Sequence, residues 1–402
     1  MRRLHERLII GIAVSCLGGV TAAAQTRSQE EGAPPWRLSS QVGAVYSDNR
    51  DGTKTNKQSN LDGTVEPRLD IHYQDADRTS VQLSLMPLLK WHSNPRTTLE
   101  GGAQDDTDLF GAAELDLMHR LTPGVKLDVK DRLAYNDDPR VMEGGSTLRR
   151  NESYLYNDLR AGLDSSFTAE TGLGLSGEGV TTRYQDSVVA KELDSDLYRG
   201  EIAPYVMVGG GWKVIGIVGA SEFQQEKTER NRGSAVETYQ AGGEKTFSPG
   251  FVGRVLGGYQ SIQYDNSGLD PEGTMSGTAE LVLRSTSATR FRLSTAYGFF
   301  PPSDSDYSAQ KATAFSWGVD HDVLADRLTL HFQGLYMDGH YTREAADAPG
   351  GRERMTTLGI HGTYFLSRSW SLTGGYALEN WDSKVRESFT RQLVDMSVRA
   401  AW

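Results

Sequence analysis

Along most of this chain, alternate residues belong to two different chemical classes. In 61–73, "LDGTVEPRLDIHY", Leu61, Gly63, Val65, Pro67, Leu69, Ile71 and Tyr73 form one set. Asp62, Thr64, Glu66, Arg68, Asp70 and His72 form the other. Side chains alternate across a strand, so such a segment has one apolar face and one face carrying both signs of charge. A helix would mix the two sets around its circumference. The same alternation recurs in 78–91, 124–136, 273–284 and 290–299, and it closes the chain: Val394, Met396, Val398, Ala400 and Trp402 against Asp395, Ser397 and Arg399.

The connections alternate too. Tight turns fall near 75–77, 122–124, 164–166, 209–211, 248–250, 286–288, 322–326 and 366–369. Longer polar segments fall between them, for example 48–60, 92–107, 137–152, 183–195 and 338–353. The spacing predicts about 18 strands (16–18): 36–47, 61–74, 78–91, 108–121, 124–136, 153–164, 167–182, 196–208, 211–224, 235–247, 251–263, 273–285, 289–300, 311–321, 327–338, 354–365, 369–379 and 389–402. Many exceed the 5–6 residues common in soluble proteins. At about 3.3 Å per residue and about 40° tilt, 11 residues rise roughly 28 Å, the height of an outer-membrane apolar band. Aromatics near the ends of the apolar faces, such as Trp36, Tyr46, Trp91, Tyr297, Trp370 and Trp402, suit the two membrane interfaces. The fold class expected is all-β: a transmembrane antiparallel up-and-down β-barrel with short periplasmic turns and long extracellular loops. A soluble sandwich would alternate as well, but with shorter strands.

The first 24 residues are of another kind. Arg2, Arg3 and Arg7 precede an apolar run, Leu8 to Val20, and then small residues at Ala22 and Ala24. This is the pattern of a secretory signal peptide cut after Ala24. Cys16, the chain's single cysteine, lies in the apolar run. The alternative is an acylated Cys16, for which "AVSC" is a poor motif. Without Cys16 the mature chain has no disulfide and no thiol ligand or nucleophile. Three Arg and Glu6 leave with the leader, so the net charge of -11 becomes about -13. Nothing in that balance suits nucleic acid. The domain reading is 1–24 signal peptide, 25–35 short periplasmic segment and 36–402 barrel, with export to the cell outer membrane.

A terminal aromatic preceded by apolar residues at every second position resembles the C-terminal signal of bacterial outer-membrane proteins. The resemblance implies that Val394, Met396, Val398 and Trp402 are read by the barrel-assembly machinery. It also implies outer-membrane lipid and lipopolysaccharide as surroundings. "VYSDNR" (45–50), followed by a polar loop and the strand "VEPRLDIHY", is similar to a β-barrel porin family often found with exopolysaccharide export systems. Arg50 departs from the small or apolar residue expected there. That resemblance implies a channel for hydrophilic solutes or glycans, with periplasmic polysaccharide-export proteins as partners.

The charged face would line the lumen, which stays aqueous at 16–18 strands unless plugged. The candidate pore-lining residues are Glu66, Arg68, Asp70, Glu114, Asp116, Lys126, Lys130, Arg132, Arg290 and Arg292. One arrangement is a basic wall of Lys126, Lys130, Arg132, Arg290 and Arg292 facing Glu66, Asp70, Glu114 and Asp116 across the pore. The other is a lumen whose charges are solvated and mutually neutralised. The few residues before the first strand leave no room for a plug domain. No histidine falls in a Ser/His/Asp pattern, and "AQDDTD" (103–108) lacks the Gly and Glu spacing of a calcium loop. The expectation is a non-enzyme without metal or cofactor. From a different class, the barrel could be an adhesive platform acting through loops 92–107, 137–152 and 338–353, its lumen closed.

Overall fold

The structure, a computed structural model, describes residues 34–50, 54–55, 57–75, 78–94, 106–136, 153–185, 187–225, 233–265, 269–286, 288–302, 307–324, 327–343, 351–385 and 387–402. The expected signal peptide, most of the segment 25–35, and the centres of the three loops nominated for adhesion lie outside the described residues.

Among the described residues there are 18 strands. The first six are β1 (Trp36–Ser47), β2 (Asn60–Asp75), β3 (Thr79–His92), β4 (Thr107–Thr122), β5 (Val125–Asn136) and β6 (Tyr154–Ser166). The next six are β7 (Thr171–Tyr184), β8 (Ser195–Met207), β9 (Trp212–Gln225), β10 (Ser234–Ser248), β11 (Phe251–Tyr264) and β12 (Glu272–Arg284). The last six are β13 (Thr289–Phe300), β14 (Tyr307–Val323), β15 (Leu328–Arg343), β16 (Gly351–Phe365), β17 (Trp370–Ser383) and β18 (Phe389–Ala401). A seven-residue helix, α1 (Ser187–Leu193), joins β7 to β8 in place of the expected polar loop.

Each strand pairs antiparallel with its sequence neighbours, and β18 returns to β1, so the sheet closes. The closing seam runs from Ser39 opposite Ala401 to Ser47 opposite Leu393. The Trp402 amide extends it by donating to the Leu38 carbonyl at 2.9 Å. Closure matters because unpaired backbone groups cannot be tolerated in hydrocarbon. The β2–β3 ladder lapses only around Pro67 and Pro87, which have no N–H to donate.

Burial follows the alternation. Val42, Val255, Met275 and Met396 are more than half exposed, as are other large apolar side chains of the outer face. The alternate residues Ser39, Asp70, Arg254 and Thr357 are buried on the inner face. The apolar residues thus face out and the polar residues in, the reverse of a water-soluble protein. Several strands outrun the alternation. It predicts strands over 311–321, 327–338 and 354–365, but β14, β15 and β16 begin or end up to five residues further toward the long-loop end. There the outer face carries charge: Arg352 Nε donates to Asp338 Oδ1 at 2.8 Å, and Arg354 stands 3.8 Å from Asp382. The strands continue past the point where the apolar band stops.

Candidate functional site

The inner wall is a set of transverse rows, one residue per strand, held by the ladder register. One row places Asp116, Lys130, Arg160, Glu178 and Arg199 side by side on β4 to β8. Lys130 Nζ is 3.4 Å from Asp116. Glu178 receives Arg160 at 2.9 Å and Arg199 at 3.1 Å on its two oxygens. In the adjoining row Arg132 lies 3.4 Å from Glu114 and opposite Asp158, whose two oxygens accept from Arg160 Nε and Nη2 at 2.9 and 2.8 Å. Lys126 reaches Asp128 at 2.7 Å.

A second row crosses β13 to β18 with Arg290, Asp320, His331, His361, Gly375 and Asp395 in register. Asp320 accepts from Arg292 Nη2 at 2.7 Å and faces His331 Nδ1 at 2.5 Å. His331 Nε2 lies 3.0 Å from Gln333. His361 and Asp395 approach to 3.6 Å across the intervening strand. Only glycine permits this: a Cβ at position 375 would collide with both Asp395 Oδ1 and His361 Nδ1. On β2, Arg68 Nε donates to Asp70 at 2.8 Å, and the Ser84 hydroxyl donates to the same carboxylate at 2.6 Å. Gln41 lies opposite both Glu66 and Arg399.

These placements differ from two facing walls of opposite charge. Glu114 and Asp116 stand on the strand beside Arg132 and Lys130, and Asp70 pairs with Arg68 two residues away. The register sets acid next to base. Sequence parity tells which face a residue takes, not which neighbour it meets. Asp158, Glu178, Arg199 and Asp320 belong to the same rows and escape the sequence reading, as does Glu244, which lies opposite Lys213 and Arg254. Glu178 sits in the glycine-rich β7, where the alternation is faint.

The wall changes along its length. Toward the short-turn end burial is mixed: Glu114, Lys126, Lys130 and Arg292 keep about a quarter to two-fifths of their side-chain surface exposed, while Asp128 and Arg254 are buried. Toward the long-loop end the inner face is buried at Asp62, His92, Tyr154, Gln310, Met337, Glu353 and Arg391, among others. His92 there bridges Asp62 at 2.8 Å and Asp108 at 3.2 Å, and Lys90 lies 3.4 Å from Asp62. The helix α1 packs Val189 against the inward residues Tyr154, Tyr156, Val180, Tyr184, Leu197 and Phe223. A connection from the long-loop end therefore rests on the inner face of the wall.

Compared with known families, residues 200–402, just over half of the chain, match the family described as Putative beta-barrel porin 2. The chain belongs to this porin family. The match runs from within β8 to the end of β18, while the "VYSDNR" motif lies outside it. This porin is thus an outer-membrane β-barrel of channel type. No curated protein matches its sequence. Among solved structures it is similar to OccAB3 of Acinetobacter baumannii, at 11% identity, 91% of this chain, 99% of that chain and a TM-score of 0.46. It is also similar to OpdK of Pseudomonas aeruginosa with vanillate, at 12% identity, 91% and 99% coverage and a TM-score of 0.48. The siderophore receptor PirA of Pseudomonas aeruginosa matches at 8% identity, 93% and 81% coverage and a TM-score of 0.43.

Proposed function

We propose that this porin conducts hydrophilic, hydroxyl-rich solutes, glycans among them, and that polysaccharide export is its setting. The observation that carries the reading is the lateral pairing of lumenal charge. A wall in which acids and bases neutralise each other row by row gives little net field to select an ion. It does offer closely spaced donors and acceptors, which match a solute bearing many hydroxyls. The buried inner face toward the long-loop end supports a passage that narrows on that side.

Two experiments test this. Reconstituted in planar bilayers, the porin gives steady conductance steps with weak ion preference. In liposome swelling, neutral sugars enter faster than charged solutes of equal size. A silent bilayer together with absent swelling would overturn the channel and favour the adhesive platform. The export setting has its own test: a deletion strain secretes less polymer, and normal secretion refutes that role while leaving the channel intact.

A further inference from the structure

Among the described residues, the outer face of the barrel is mainly apolar at mid-height; the side of β5 carries an acid there. Asp131 of β5 points outward, between the inward Lys130 and Arg132, which pair with Asp116 and Glu114. Its neighbours on the outer face are Val129 and Leu133 along the strand, and Leu115 and Leu159 across it. Leu133 and Leu159 are among the exposed apolar residues, so Asp131 lies within the lipid-facing band. Asn157 of β6 donates to Asp131 at 2.8 Å. The polar group continues in register: Asn157 opposite Thr181, and Thr181 opposite Asp196. The Thr181 hydroxyl donates to Asp196 at 2.8 Å, and Arg183 Nη2 does so at the same distance. On the far side of the barrel, the outer face of β16 to β18 carries Ile360, Tyr376 and Val394 in register instead.

A carboxyl and a carboxamide facing lipid tails are costly, because hydrocarbon supplies no partner for them. Among the described residues, the Asp131–Asn157 bond uses one N–H of the amide and one oxygen of the carboxyl, leaving one of each. The patch therefore holds a spare donor beside a spare acceptor. Under a twofold axis along the membrane normal the contact is reciprocal: where one residue meets a second of the other copy, the second meets the first in return. Asn157 of one barrel then donates to Asp131 of the other, and the reverse bond forms by symmetry. Beside the pair, Gly177, Gly179 and Gly200 keep the outer surface low, and a Cβ at Gly200 would meet nothing within 4 Å.

We propose that the outer face of β5 to β8, centred on Asp131 and Asn157, is the contact surface for a second copy of this chain in the membrane. The inference is independent of what the lumen conducts.

The test is site-directed crosslinking in outer membranes, in a Cys16→Ser background so that the introduced thiol is the chain's only one. Leu159→Cys and Leu155→Cys each yield a band of twice the mass with a short bis-maleimide, whereas Leu358→Cys on the opposite face stays at single mass. The double variant Asp131→Leu with Asn157→Leu keeps the barrel folded, shown by its boiling-dependent migration. In that background the Leu155→Cys crosslink is largely lost. Equal crosslinking at positions 155 and 358 overturns the proposal, as does single mass at both 155 and 159. Persistence of the Leu155→Cys crosslink in the double-leucine background also overturns it. Stoichiometric lipopolysaccharide or another protein on this face, with no doubled band, would assign the surface to that occupant.

Discussion

At the scale of single residues, Glu178 shows how the wall holds its charge. It is the shared counter-charge of two guanidinium groups, accepting from Arg199 and standing 2.9 Å from Arg160, and its side chain is 9% exposed. Glu178→Gln removes the carboxylate that Arg160 and Arg199 share, leaving Arg160 to Asp158, and makes the wall one charge more positive. Removing a charged partner from a mostly buried pair costs on the order of 1–3 kcal/mol, at the low end here because Arg199 keeps a quarter of its surface in water. The melting temperature in detergent falls accordingly, and the reversal potential across a KCl gradient moves toward chloride. Arg290→Glu with Arg292→Glu moves it the opposite way, toward potassium, because Asp320 loses its Arg292 partner and the wall gains acid. A reversal potential unmoved by both variants would mean that ions do not pass this wall.

At the scale of elements, a pair of adjacent glycines on β11 separates what a strand needs on its two faces. Gly257 faces outward into open space, where an added methyl would meet nothing within 4 Å, whereas a Cβ at Gly258 would collide with the Tyr239 carbonyl oxygen of β10. Gly258 is therefore required by the close approach of β10 and β11. Gly258→Ala forces those strands apart at a cost of about 1–3 kcal/mol, as overpacking does elsewhere. Gly257→Ala leaves thermal stability within about 0.5 kcal/mol, as for an uncrowded surface position. Thermal unfolding of the two variants, compared side by side, checks the contrast. The elements themselves were legible because lipid on one side and water on the other impose a period of two on every segment. The alternation predicts Trp36–Ser47 and Thr289–Phe300 with the bounds they have. Legibility failed where that contrast lapses. The extensions of β14 to β16 carry polar residues on both faces, so hydrophobicity cannot show that the strand goes on. In α1, seven residues are too few to display a helical period. Asp131 breaks the rule outright, an acid in an apolar phase, and the alternation on either side of it hides the exception. The charged rows were half legible: parity put Lys130 and Asp116 on one face, but their contact depends on register, which no local pattern records.

At the scale of the whole molecule, closure and assembly can be told apart at the C-terminus. The barrel has no edge only because β18 pairs with both β17 and β1. Removing residues 393–402 exposes the ladder partners of both strands to lipid, so no closed barrel forms, and the species of altered migration in unboiled samples disappears. Trp402 differs in kind. Its amide closes one further bond to Leu38, but the residue is 69% exposed. Trp402→Ala keeps the amide and discards the ring. Refolded in detergent, the variant melts within a few degrees of the parent, since an exposed side chain away from the ladder contributes within about 0.5 kcal/mol. In cells the outcome is different if Val394, Met396, Val398 and Trp402 form the surface read by the assembly machinery: the fraction of chain inserted in the outer membrane drops severalfold while the inserted fraction is normally folded. Equal insertion of variant and parent would show that the ring serves as an interfacial anchor alone. A matching loss in the detergent refolding would place its role in the barrel's own stability. The comparison works because a recognition signal acts on the chain before closure, and the closed barrel no longer depends on it.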